Sequence, residues 1–256
     1  MLLAVDVGNS QTVIGVFNGS DMDHHWRIST DPDRTPDELA LMFGGLMAFA
    51  DLSFSRNVHG VIVSSVVPVV TEMLRVMTHK YFHFPPVIIG PDVKTGMEMR
   101  VDNPREVGAD RVVNALAAHS EYGGPGIVVD FGTATSFDVY SDDGAFLGGA
   151  IAPGVATSMR ALSLRGAQLP RIELAAPREA IGRSTIEAMR VGAVYGFSGA
   201  VDRIVTEIGS QFDTDPVVVA TGGLAPSVLE ACRTLTHHDP WLTLKGLRAI
   251  WERNAA

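Results

Sequence analysis

Lysine is scarce in this 256-residue chain: only Lys80, Lys94 and Lys245 occur, none in a GxxxxGK(S/T) loop, which excludes the lysine-bearing phosphate loop. Cysteine is scarcer still. A lone Cys232 excludes an internal disulfide, no CxxC pair occurs, and a reducing compartment, the cytoplasm, is the expected setting. No apolar run is long enough to cross a bilayer. The opening MLLAVDVG lacks a basic n-region and is interrupted by Asp6, so a signal peptide is not expected either. Basic clusters are missing too, and with a net charge of −9 a nucleic-acid surface is disfavoured. What remains is an apolar content of 46%, enough for a substantial core in two modest domains or one large one.

Two stretches, residues 2–18 (LLAVDVGNSQTVIGVFN) and 127–140 (IVVDFGTATSFDVY), read as one device used twice. Each is a hydrophobic strand ending in Asp-x-Gly, a small polar turn and a second strand. Asp6 or Asp130 stands at the strand's end, and Gly8 or Gly132 lets backbone N–H groups approach an anion. Aspartate before glycine is common in turns, so either copy alone says little. Two matched copies suggest an ATP-using fold built by duplication, in which hairpins facing one another would hold a metal-bound polyphosphate. Asn9, Ser10, Gln11 and Thr12 add donors to the first turn, and Thr133, Thr135 and Ser136 add hydroxyls to the second. A third piece, VVVATGG at 217–223, is a buried strand running into paired glycines, as a nucleotide base or ribose needs. With so few lysines, phosphate charge must be met by backbone N–H groups, an arginine and cations held by carboxylates.

The elements alternate along the chain. Strands are expected at 2–7, 12–17 and 25–29, an antiparallel meander with Asn18-Gly19 as a turn; the sequon Asn18-Gly-Ser20 is therefore read as a hairpin rather than a glycosylation site. Thr35-Pro36-Asp37-Glu38 starts a helix with a capping box. Residues 60–66 read as a strand, 68–82 as a helix and 86–89 as a strand, an order that favours parallel pairing. The second half repeats the scheme: helix 110–122, strands within 126–150, a loose-ended helix 155–169, a long helix 184–212, strand 216–220, a short helix 225–232 and a closing helix 243–252. The boundary falls near residue 110, giving domains 1–109 and 110–256. Gly192, Gly196, Gly199 and Ala200 lie close to one face of the long helix. They fit a tight crossing within the chain or a subunit interface.

In EVGADRVVNALAAH, Asp110 and Arg111 open a helix. One reading makes Asp110 an N-cap and Arg111 a surface ion-pair partner. The other makes Asp110 a general base, taking a proton from a hydroxyl in line with a γ-phosphate, with Arg111 holding an anionic substrate group. The duplicated hairpins favour the second. The pairs His24-His25 and His237-His238 are poor zinc candidates, since adjacent strand residues point to opposite faces, and are read as surface or packing residues. GGPG at 123–126 precedes its strand, so it is not a dinucleotide fingerprint.

DVGNSQTVIGVF, DNPREVGADRVVNALAA, VVDFGTATSFD, GGAIAPGV, IGRSTIEAM and HHDPWLTLKGLRAIWERN together resemble the type III pantothenate kinase family over residues 2–254. Its wider group is the acetate kinase, sugar kinase, Hsp70 and actin superfamily. The resemblance implies an α/β fold of two duplicated ribonuclease H-like domains, the actin-like ATPase fold, with mixed sheets flanked by helices. It implies ATP-dependent phosphorylation of pantothenate to 4'-phosphopantothenate, the first step of coenzyme A biosynthesis. Asp6, Val7, Gly8, Asn9, Ser10, Gln11, Thr12 and Val13 would form the first phosphate loop around ATP and its Mg²⁺, Asp6 meeting the metal through phosphate. Thr133 would touch nucleotide, and Asp130 would hold a monovalent cation, K⁺ or NH₄⁺. Gly108, Ala109, Asp110 and Arg111 would line the pantothenate pocket with Asp110 as base. Thr185 would reach pantothenate from the neighbouring subunit of a homodimer.

Two positions depart from the family's pattern. Val101 stands where a tyrosine commonly contacts pantothenate, and Ser184 replaces the asparagine of GRNT. Val101 gives some footing to an alternative, a catalytically weak nucleotide-binding regulatory or accessory protein of the same fold.

Overall fold

A near-continuous apolar run, buried on both faces, produces β1 (Leu2–Val7), paired antiparallel with β2 (Gln11–Asn18) and through it with β3 (Asp21–Ser29). The computed structural model describes residues 1–90 and 93–254, and the side chain of Ser55 lies outside that description. Asn18 pairs with Asp21 across Gly19-Ser20, with Gly19 at φ +62°, so the sequon is a hairpin turn. β3 begins at Asp21 rather than residue 25. It is an edge strand whose Asp21 and Asp23 alternate with half-buried Met22 and His24, so charges occupy its open face.

α1 (Pro36–Ala48) starts as expected: the Glu38 N–H donates to Thr35 Oγ1 at 3.3 Å and the Thr35 N–H to Glu38 Oε2 at 2.7 Å. A one-turn helix, α2 (Phe54–Asn57), was not foreseen; it precedes β4 (Gly60–Ser65), α3 (Pro68–Phe82), β5 (Val87–Ile88) and α4 (Ala109–Tyr122). The sheet order is β3-β2-β1-β4-β5, with β1, β4 and β5 parallel. Leu3, Val5, Val7, Val61 and Val63 point to one face and pack with Phe43 and Met47 of α1 and Leu74 and Met77 of α3. Ala4, Asp6, Ile62 and Ser64 point to the other face.

The same plan recurs in β6 (Gly126–Phe131), β7 (Ala134–Tyr140) and β8 (Phe146–Pro153), followed by α5 (Val155–Arg165), α6 (Thr185–Gly209), β9 (Val217–Thr221) and β10 (His237–His238). The order β10-β9-β6-β7-β8 is the first sheet's order read from its other edge. α5 stops short of residue 169, at Gly166, whose N–H donates to Leu162 O at 2.8 Å. The helix expected at 225–232 is two 3-10 turns, Ala225–Ser227 and Leu229–Ala231. Pro226 supplies no N–H, and Val228 between the turns sits at φ −129°, which breaks the run. His237 and His238 form the exposed short strand beside β9, and His237 packs on Tyr122 with ring centroids 4.6 Å apart.

α7 (Leu242–Asn254) closes the fold. The chain makes two compact units: Met1–Gly96 with Asn103–Ala117 and Thr243–Ala256, and Met97–Asp102 with Ala118–Leu242. A single break between residues 109 and 110 does not follow these units, and residues 255 and 256 of the expected second domain lie outside the described ones. The reason is packing. The Trp251 ring of α7 lies against Gly60, where a Cβ would come within 2.3 Å of it, and Thr243 Oγ1 donates to Asn114 Oδ1 of α4 at 2.7 Å. These contacts hold the first half of α4 and nearly all of α7 to the first sheet.

Candidate active site

The β1–β2 turn is tied by the Gly8 N–H to Gln11 O at 3.0 Å, leaving Asn9 and Ser10 exposed at its tip. Asp6 is half-buried at the end of β1, beside Val13 on one strand and Ser64 on the other. Two expected phosphate ligands also brace the frame. Thr12 is buried, its hydroxyl 2.9 Å from that of Thr30, and Gln11 Oε1 accepts from Arg27 Nη1 at 3.2 Å. Ser10 O accepts the Thr30 N–H at 3.1 Å. The tip is thus braced from β2 and the residue after β3.

Within the same unit, α4 opens at Ala109, and the Arg111 and Val112 N–H groups donate to Gly108 O at 3.2 and 3.5 Å. Gly108 therefore stands at the cap position and Asp110 one residue inside the helix. Asp110 folds its carboxylate back over the helix start: Oδ1 accepts the Arg111 N–H at 2.9 Å, and a Cβ on Gly108 would lie 2.5 Å from that oxygen. Burial pushes the Asp110 pKa above the usual 3.8, against the Arg111 N–H and guanidinium, which act to lower it. A partly desolvated carboxylate with a raised pKa is suited to accept a proton. Arg111 is half-buried beside it.

In the second unit two turns meet at Asp130, and a third packs on the first of them. The Gly132 N–H closes the β6–β7 turn on Ala134 O at 2.9 Å, leaving Thr133 exposed. Gly222, at φ +91°, presses so close that a Cβ there would lie 2.3 Å from Asp130 Oδ1, so the paired-glycine turn and the second Asp-x-Gly hairpin are neighbours. Thr133 O accepts the Gly154 N–H at 3.2 Å and Thr157 Oγ1 at 2.7 Å, which fixes the start of α5 on the hairpin. The sequence reading gave Gly154 and Thr157 no role, although PGV after a strand marks a helix start. A cavity of about 1070 Å³ opens among α5, segment 171–177, α6 and the turn after β9; Gly223, Leu224 and Ser227 line it with Arg160 and Arg171.

Ser184 is the N-cap of α6, its Oγ accepting the Glu187 N–H at 3.2 Å, and Thr185 is exposed in the first turn. The exchange of asparagine for serine therefore keeps a capping oxygen. Val101 is half-buried on segment 97–102, which bonds to β8 through the Arg100 N–H to Phe146 O at 2.9 Å. Gly192, Gly196 and Gly199 are exposed, and a Cβ on any of them would meet nothing within 4 Å, so no tight crossing among the described residues explains them.

Among the described residues no three His, Cys, Asp or Glu side chains gather to hold a metal ion. No described helix is long and apolar enough to cross a membrane.

The sequence model of the type III pantothenate kinase family matches residues 2–207. A type III pantothenate kinase of Streptomyces avermitilis is 52% identical over 261 residues, covering 99% of this chain and 98% of that protein. Among solved structures, a Campylobacter jejuni protein assigned to the Baf family of transcriptional activators aligns with TM-score 0.61 at 18% identity, covering 99% of this chain and 98% of that one. The ROK hexokinase of Thermus thermophilus aligns with TM-score 0.53 at 13% identity, over 100% and 99% of the two chains. At such identities the structural likeness speaks for the fold alone: two mixed sheets flanked by helices in the actin-like ATPase architecture.

Proposed function

The chain belongs to the type III pantothenate kinase family, and from that membership we propose that it transfers the γ-phosphate of ATP to the primary hydroxyl of pantothenate, with Asp110 as the general base. The observation that carries the base assignment is the Asp110 carboxylate itself, folded back by the Arg111 N–H into the space that Gly108 leaves open. There it takes the hydroxyl proton as the oxygen attacks phosphorus, and its raised pKa strengthens it as an acceptor. Arg111 binds the pantothenate carboxylate, and Gly108 and Ala109 line the same pocket.

The first hairpin turn, from Asp6 to Val13, receives the phosphates through backbone N–H groups and the side chains of Asn9 and Ser10 exposed at its tip. Asp6 meets Mg²⁺ through phosphate. In the second unit Asp130 holds K⁺ or NH₄⁺, Thr133 touches nucleotide, and the paired-glycine turn at Gly222-Gly223 takes ribose or base. These cations, when bound, offset the charge of an anionic substrate meeting ATP in a chain of net charge −9. Thr185 reaches pantothenate in a second copy of the chain; its exposure and the open glycine face of α6 support a homodimer.

The test is ATP-dependent phosphorylation of pantothenate, with and without K⁺, beside a panel of sugars and hydroxy acids. Potassium-stimulated turnover of pantothenate is expected. Activity on sugars alone would overturn the substrate. Nucleotide binding without turnover would favour the accessory-protein reading, for which Val101 is the motivating departure.

A further inference from the structure

The serine pair that ends β4 divides its labour. Ser65 Oγ accepts the Val67 N–H at 3.1 Å and lies 2.7 Å from Thr71 Oγ1, so it fastens the entry of α3. Ser64 is fully buried, and its hydroxyl makes no hydrogen bond to any described residue. A buried hydroxyl left unpaired is costly, and its retention calls for a reason.

Its position suggests one. Ser64 is the in-register partner of Asp6 across the parallel β1–β4 pair. Such partners point to the same face, and Val5, Val7 and Val63 occupy the opposite face with α1 and α3. Adjacent strands run about 4.8 Å apart, so a serine hydroxyl and an aspartate carboxylate on neighbouring residues meet at hydrogen-bond distance after one rotamer change.

We propose that Ser64 is a positioning residue: when nucleotide binds, its hydroxyl turns to donate to the Asp6 carboxylate and fixes the oxygen that Asp6 presents to cation-bound phosphate. This rests on the assignment of Asp6 to the nucleotide's metal made above. A charge-assisted bond of this kind narrows the carboxylate's rotamers while leaving its outer lone pairs for the ligand. Supporting groups behind a ligating carboxylate commonly change metal affinity or activity by roughly tenfold to a hundredfold when removed.

The experiment is calorimetric titration of Ser64→Ala, Asp6→Ala and the double variant with Mg²⁺ and β,γ-imido-ATP, alongside melting temperatures and steady-state kinetics. Ser64→Ala should melt at or above the wild-type temperature, because an unpaired buried hydroxyl is lost, yet bind the magnesium nucleotide roughly tenfold more weakly. In the Asp6→Ala background the serine change should add nothing. Wild-type affinity in Ser64→Ala while Asp6→Ala is impaired overturns the proposal, as do additive losses in the double variant or a loss that tracks a fall in melting temperature. Wild-type binding by Asp6→Ala overturns the Asp6 assignment instead, and the role of Ser64 with it.

Discussion

At the scale of single residues, Asp110 and Gly108 act as one unit. The Asp110 carboxylate is destabilised by burial, so its folded-state pKa lies above its unfolded one. Stability is unaffected below the unfolded value, falls as pH rises between the two, and stays reduced above the folded value. Asp110→Asn should therefore melt no lower than wild type at neutral pH, with any gain vanishing in acid, while kcat falls by about 10² to 10⁴. Differential scanning calorimetry across pH, beside the kinase assay, checks both halves. In the wild type kcat/KM should fall in acid through a pKa above the usual 3.8 of aspartate. Gly108→Ala places a methyl group 2.5 Å from Asp110 Oδ1, and the displaced carboxylate should lower kcat on the order of a hundredfold with the circular dichroism spectrum intact. Asp6 and Asp130 stand out as candidates in the sequence through their duplicated spacing, and Asp110 through its place at a helix start. Gly108 facing Asp110, Gly222 facing Asp130 and Ser64 beside Asp6 are relations across space, which a linear pattern does not display.

At the scale of elements, legibility follows local determinism. The capping box of α1, the Gly19 turn and the helix 68–82 were readable since neighbouring residues decide them. The start of β3, the two 3-10 turns after β9 and the edge strand at His237-His238 were not, because pairing with another strand or packing of a turn decides those. Ser184 gives a quantitative check. With its Oγ accepting the Glu187 N–H, Ser184→Ala should cost about 1 kcal/mol of stability, whereas Ser184→Asn should stay within a few tenths, as urea denaturation would measure.

At the scale of the molecule, duplication was visible in the paired Asp-x-Gly hairpins and is complete in the two sheets, which share one strand order. The proposed homodimer makes a prediction of its own. Gly196→Arg puts a long charged side chain on an exposed face of α6 where a Cβ has open space within the protomer. Each chain should stay folded, the sedimentation coefficient should fall to that of a single copy, and pantothenate turnover should drop as Thr185 of the second copy is lost; an unchanged dimer would place the interface elsewhere.

α7 carries a consequence for how the protein is made. Residues 243–254 cover the Asp6 face of a sheet whose first strand emerges from the ribosome more than two hundred residues earlier. The amino-terminal unit must wait, with Gly15 and Gly60 bare of Leu244 and Trp251, until residues 243–254 have been translated. The second unit, drawn from residues 97–102 and 118–242, has its full complement first, so the half that is synthesised first is the last able to finish folding.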